Sequence, residues 1–259
     1  MLRFAVIFLL FLGCASAQTG QPAPASDPQA LSLATQSITA LTGGGLISDV
    51  VLKGNAISTI GSDYEFGSAI LMAKGVTESR IDLNLNSGPR SDVRSAPNGI
   101  PQGAWRISSG SVAPYAEHNC FTDASWFFPA LSSITQTSNP SYVFRYVGLE
   151  TRNGLSVQHI QVFRAGADDE GLLQQLSTID FFLDPTSMLP LVVTFNSHAD
   201  NNFGIALLSE IRFASYQPVN GAQVPFHFQK LVNGSLFLDV TITNATLNSG
   251  ILDSSFTLE

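Results

Sequence analysis

The spacing of apolar positions changes once along the chain, from a helical period to an extended one. Leu31, Ala34, Ile38 and Leu41 recur at steps of three and four and form one apolar stripe. Asp27 offers an N-cap oxygen, Pro28 suits the first helical position, and Gly43 to Gly45 end the run. The pattern predicts one amphipathic helix over Pro28 to Leu41. Its polar face carries no charge beyond Asp27, so it needs an apolar surface to lie on.

Beyond Gly45 the period becomes two. Tyr64, Phe66, Ile70 and Met72 alternate with small or polar residues, and Ile81, Leu83 and Leu85 alternate with Arg80, Asp82 and Asn84. Both runs read as half-buried strands. The same alternation marks Tyr142 to Val147, Thr178 to Leu183, and Ile205, Leu207, Ile211 and Phe213. It continues in Val224, Phe226 and Phe228, and in Leu236, Leu238, Val240 and Ile242. Asn-Gly pairs at Asn153-Gly154, Asn220-Gly221 and Asn233-Gly234 each lie between two such runs, the strongest short-range hairpin signal. Asp184-Pro185-Thr186-Ser187 reads as a further turn. Strands joined by tight hairpins are antiparallel neighbours, so the chain from Tyr142 onward is predicted to be a meander.

Two stretches break the regularity. Asn86 to Gly103, with three prolines and three glycines, reads as a long loop or irregular edge, and it carries Arg90 and Arg94. Phe121 to Leu131 is a dense aromatic patch of neither clear period. Its large apolar residues, Phe121, Trp126, Phe127, Phe128 and Leu131, need an apolar surface to cover, since burying each is worth roughly 1.5–3 kcal/mol. Either the ordinary core receives them, or they form a lid over the open edge of a hollow. The lid is the reading adopted, because polar loops flank the segment.

The start of the chain indicates export. Arg3, the apolar run Phe4 to Leu12, and Ala15-Ser16-Ala17 form a signal peptide cleaved after Ala17. A second reading makes Cys14 a lipidated N-terminus, since Leu12-Gly13-Cys14 resembles a lipobox, although Phe11 stands where Leu is usual. Residues 18–26, rich in Pro, Gly and Ala, read as a flexible leader before a single domain over 27–259. No later stretch is long and apolar enough to span a membrane. With Cys14 removed, Cys120 is left without an intrachain partner.

Composition narrows the classes. Hydrophobic residues make up 44% of the 259 and charged residues 12%, with a net charge of −8. The apolar share supplies a sizeable core, and the acidic balance excludes a nucleic-acid partner, whose phosphates need a basic footprint. The motifs of nucleotide binding and of the nucleophile elbow are missing. His118, His159, His198 and His227 show no helical metal spacing, and each reads as a histidine satisfied by a hydrogen bond. Asp168-Asp169-Glu170 reads as a solvated hairpin tip. No metal site and no cofactor are expected.

Three segments in the C-terminal part carry a resemblance. Ile179 to Pro185 followed by Met188-Leu189-Pro190-Leu191, the run Phe213 to Pro225, and Ile242 to Leu247 followed by Leu252 to Phe256 resemble strand-turn-strand elements of the outer-membrane lipoprotein-sorting (LolA/LolB-like) family and its secreted relatives. The resemblance covers about the last 80 residues, with the helix-first order in support. It implies a mainly β fold: a strongly curved antiparallel sheet, an unclosed half-barrel, with a helix across its concave face. Members carry acyl chains in the hollow. No functional residue of the carriers aligns individually.

The resulting expectation is an exported, monomeric, non-catalytic binding protein, periplasmic or extracellular. It would hold a lipid or acyl-chain ligand and meet an envelope protein partner. The ligand would touch Phe121, Trp126, Phe127, Phe128 and Leu131, with Leu31 and Ile38 from the helix. The alternatives are a structural or adhesive envelope β-protein, and a hydrolase using His118, Cys120 or His159.

Overall fold

The computed structural model describes residues 24–60, 63–108, 110–152, 154–166 and 171–258. The signal peptide, Asn153 and the Asp168-Asp169-Glu170 run lie outside the described residues.

Helix α1 spans Pro28–Thr42. Asp27 caps it by accepting the N–H of Gln29 at 2.7 Å, and Gly43 closes it in the left-handed region at φ 61°. The helix is pinned at both ends. Asp27 N–H donates to Phe144 O at 2.8 Å, and Phe144 N–H donates to Ser26 Oγ at 3.1 Å, so the residue before the cap is held on a strand. At the other end, a Cβ on Gly43 would stand 2.2 Å from Gly221 O, an approach that glycine alone allows. The buried stripe is Ala30, Leu33, Ala34, Ser37 and Leu41, with Leu31 and Ile38 half-buried on its flank. The helix is therefore turned from the predicted stripe, so that its small residues face the sheet.

Six strands follow: β1 (Asp49–Ile60), β2 (Asp63–Lys74), β3 (Glu78–Leu85), β4 (Gly88–Ser95), β5 (Gln102–Ile107) and β6 (Ala113–Pro114). After a non-strand segment come β7 (Tyr142–Arg152) and β8 (Leu155–Arg164), then the short helix α2 (Leu172–Ser177). The chain ends with β9 (Ile179–Leu183), β10 (Pro190–Ala199), β11 (Asn202–Val219), β12 (Ala222–Val232) and β13 (Ser235–Leu247). All 13 form one antiparallel sheet in the order β6-β5-β4-β3-β2-β1-β13-β12-β11-β10-β9-β8-β7. Each half is a meander, and the halves join where β1 pairs with β13. The sheet is unclosed, with β6 and β7 as its edges, and residues 115–141 run from one edge to the other. It is the half-barrel with a helix that the sequence implied.

Sharp coiling is visible at two glycines facing inward. A Cβ at Gly54 would lie 2.1 Å from Thr241 O, and one at Gly67 would lie 2.0 Å from Asn84 O. Strand glycines with this property mark places where neighbouring backbones crowd together in a bent sheet. One main core runs through the structure, with a small second cluster of Val157, Phe182 and Val192 apart from it. The main core joins α1 and Phe127 to Ile134 with the inward residues of both halves, such as Leu52, Leu71, Phe144, Phe181 and Phe228.

Two predictions are corrected here. In β2 the core face is Ala69, Leu71 and Ala73, while Tyr64, Phe66 and Ile70 are exposed on the opposite face. Larger side chains lost to smaller ones because the coiled sheet leaves little room inside. Asn86 to Gly103 is not a long loop: Leu85 pairs with Gly88 across a two-residue turn, and β4 pairs along its length with β3. Its inward positions are the charged Arg90, Asp92 and Arg94, which hid the strand from a hydrophobic pattern.

Candidate functional site

The core does not fill the whole concave side. Helix α1 and the connecting segment 115–141 pack over the C-terminal half, and a cavity of about 440 Å³ remains between β3, β4 and β5 on one side and β12 and β13 on the other. Its walls are Ile81, Leu83, Trp105, Ile107 and Phe237, with Trp126 reaching in from the connecting segment. Trp105 and Trp126, the only two tryptophans of the chain, both line it.

The connecting segment holds Trp126 by buried polar ties. Arg94 donates from Nη2 to Thr122 O at 2.8 Å, which fixes the segment to β4. Asp123 accepts the N–H of Ser133 at 2.8 Å and its hydroxyl at 3.0 Å, which folds the segment back on itself. Burial pushes the Asp123 carboxyl up to about 6, against the opposing pull of those two bonds. The rings then stack in order. Trp126 meets Phe127 and Phe228 edge-on, with centroids at 5.6 and 5.9 Å, and Phe127 lies over Phe228 at 6.4 Å. Edge-to-face pairs at these distances are the favoured aromatic geometry.

Charged groups also line the cavity. Arg90 is ion-paired with Glu65 and donates to Ser58 Oγ at 3.3 Å. Asp92 accepts the hydroxyl proton of Tyr115; burial raises its pKa, with the Tyr115 bond and the Lys230 charge pulling the other way. Asp200 accepts Asn119 Nδ2 at 3.2 Å. Lys230 Nζ lies 4.7 Å from the Trp126 ring centroid and 5.8 Å from that of Phe237. Burial depresses its pKa, offset in part by the charge of Asp92.

The residues expected to bind ligand divide. Phe127, Phe128 and Leu131 are in the packed core at 0%, 0% and 4% exposure. They belong to the core cluster, together with α1 and the inward residues of both halves of the sheet. Their segment joins the two free edges of the sheet. Phe121 is half-buried near Arg164, and Leu31 and Ile38 flank the helix away from the cavity. Of the seven, Trp126 alone lines the cavity. Lys230 was missed. Its signal was present, because Val224, Phe226, Phe228 and Lys230 share one parity in β12, so the lysine continues the inward face.

No hydrogen bond links His118, Cys120 and His159, the residues of the hydrolase alternative, among the described residues. His118 Nε2 bonds to Ala199 O at 3.2 Å. Cys120 is buried, and burial pushes its thiol up, which disfavours the reactive thiolate. His159 lies on the outer face of β8, held by Glu150 and Asp180 at 2.8 Å each. His227 bonds to Asp239 at 3.0 Å. His198 differs from the expectation: it is buried, and neither ring nitrogen has a partner among the described residues. No group of three or more metal-ligating side chains occurs among the described residues, and no helix there is long and apolar enough to cross a membrane.

Comparison with solved structures places this architecture in a known class. The chain is similar to a putative outer-membrane lipoprotein-sorting protein domain from Vibrio parahaemolyticus, at 14% identity and a TM-score of 0.57, covering 88% of this chain and 96% of that one. It is similar to a DUF1329 family protein from Desulfovibrio piger, at 10% identity and a TM-score of 0.57, over 90% and 98% of the two chains. A LolA superfamily protein from Nitrosomonas europaea matches at 10% identity and a TM-score of 0.54, over 88% and 97%. No family model matches the sequence, and no curated protein does. The fold is that of the LolA-like, lipoprotein-sorting group, as the sequence motifs suggested.

Proposed function

We propose that this chain is an exported carrier that binds one lipid, acylated or other apolar ligand in the cavity beside Trp126, without catalysing a reaction on it. The observation that carries this reading is the cavity itself. It is a volume of about 440 Å³ on the concave side of an unclosed half-barrel, walled mainly by aromatic and aliphatic side chains. That is a usual size and lining for a small-molecule site. The lipoprotein-sorting and LolA-superfamily neighbours share the scaffold and support the same use of it. Export to the periplasm or beyond, cleavage after Ala17, action as a monomer and delivery to an envelope protein belong to the same proposal.

One observation favours a structural or adhesive role instead. Phe127, Phe128 and Leu131 fill much of the hollow that a large lipid would need. Tryptophan fluorescence separates the two readings, because both tryptophans line the cavity. A carrier predicts quenching by micromolar dibromostearate, reduced when Trp126 is replaced by Phe. A structural protein predicts unchanged emission.

A further inference from the structure

We propose that the cavity takes a single-chain amphiphile with an anionic head group, a carboxylate or a phosphate, seated on the ammonium of Lys230. This rests on the carrier reading above and names its ligand class.

The charges around the cavity are not equivalent. Arg90 is ion-paired with Glu65, although its Nε has no partner among the described residues; Asp92 is bonded to Tyr115 and Asp200 to Asn119. Lys230 is different. Among the described residues its Nζ makes no hydrogen bond and has no carboxylate at ion-pair distance; its contacts are the faces of Trp126 and Phe237. Lys230 is half-buried, and its ammonium carries three donors that no acceptor among the described residues engages. Two ring faces compensate only in part. An anion entering the cavity would supply the missing acceptor in a place where charge-assisted hydrogen bonds are strong. A cationic head group would be repelled, and a neutral hydroxyl would accept a hydrogen bond without the opposite charge that strengthens it.

The rest of the ligand follows from the walls. Ile81, Leu83, Trp105 and Ile107 offer apolar surface to a chain, not to a free anion. The volume lies near the lower end of the usual range for ligand sites, about 300–1,000 Å³, and Phe127 and Phe128 occupy the adjoining part of the hollow. One chain fits this space better than a multiply acylated anchor.

The test compares dibromostearate with dibromostearyl alcohol as quenchers of the two tryptophans in the mature chain. The acid should bind about tenfold or more tightly than the alcohol. Lys230→Met, which keeps the apolar stem, should weaken the acid about tenfold and leave the alcohol within about twofold, and Lys230→Gln should behave alike. Alcohol binding thus reports that each variant has folded. Stearoyl lysophosphatidate should displace the acid, whereas millimolar phosphate or acetate should not. Equal affinities for acid and alcohol, or an unchanged acid affinity in Lys230→Met, would overturn the head-group assignment while leaving the carrier reading intact. Displacement by phosphate alone would show a free-anion site and overturn the amphiphile. Quenching by neither probe would overturn the carrier reading itself.

Discussion

Asn233, at the tip of the β12–β13 hairpin, is bonded to Leu208 of β11 from both its backbone and its side chain. Asn233 N–H donates to Leu208 O at 2.8 Å, and Leu208 N–H donates to Asn233 Oδ1 at 2.9 Å. The turn residue of one hairpin thereby completes the ladder of the strand beside it. Asn233 and Gly234 both have positive φ, 48° and 79°, as a two-residue turn matched to sheet twist requires.

This arrangement separates two chemically identical turns. Asn220 has the same φ of 48° in the β11–β12 hairpin, but among the described residues its side chain makes no such bond. Asn233→Ala should therefore lower stability by about 1 kcal/mol more than Asn220→Ala, the net worth of one hydrogen bond. Gly234→Val should cost about 1 kcal/mol or more, because a β-branched residue fits badly at positive φ. Urea unfolding midpoints measure both effects, and equal losses in the two Asn variants would contradict the bridging role.

Stability should fall as pH rises from 5 to 8. Burial lifts the Asp123 carboxyl to about 6, so below that value the folded chain keeps a proton that the unfolded chain has released. Proton binding favours the native state there, and the benefit disappears as pH passes through about 6. Asp92 adds the same sign, its pKa raised by burial. His159 acts likewise. Burial lowers its pKa, but hydrogen bonds to Asp180 and Glu150 outweigh this and leave it raised. Its contribution is complete below the unfolded value, about 6.5, and fades as pH rises through the folded one. Asp123→Asn should flatten the lower part of the profile, read from unfolding midpoints against pH. A midpoint higher at pH 8 than at pH 5 would contradict the assignment.

Cys120 should be a poor nucleophile. It is 5% exposed, and burial raises its thiol pKa, with the Arg94 charge pulling the other way. Iodoacetamide at pH 7 should label the native chain far more slowly than the chain in denaturant. Equal rates would return Cys120 to the list of candidate catalytic groups.

Much of the architecture was legible because backbone chemistry carried it. Asp27, Pro28 and Gly43 mark the helix ends, and the Asn-Gly pairs mark hairpins, through local conformational preferences that tertiary packing did not override. The N-terminal half was less legible. Charged Arg90, Asp92 and Arg94 face inward in β4, and large Tyr64 and Phe66 face outward in β2, so burial runs against hydrophobicity in both strands. Trp126 was singled out by its aromatic context. Lys230 was not, because its setting depends on a ring more than 100 positions earlier in the chain. Strand parity places the lysine inward, but only the folded segment puts a tryptophan beneath it.

The central claim is that the hollow carries a ligand. It is tested most directly by native mass spectrometry of the mature protein purified from its own envelope without added detergent. The account predicts a population heavier than the bare chain by the mass of a single amphiphile, reduced to the bare mass by denaturation and depleted in Lys230→Met. A chain that emerges only at its bare mass, from fresh envelope and under gentle desolvation, would contradict it.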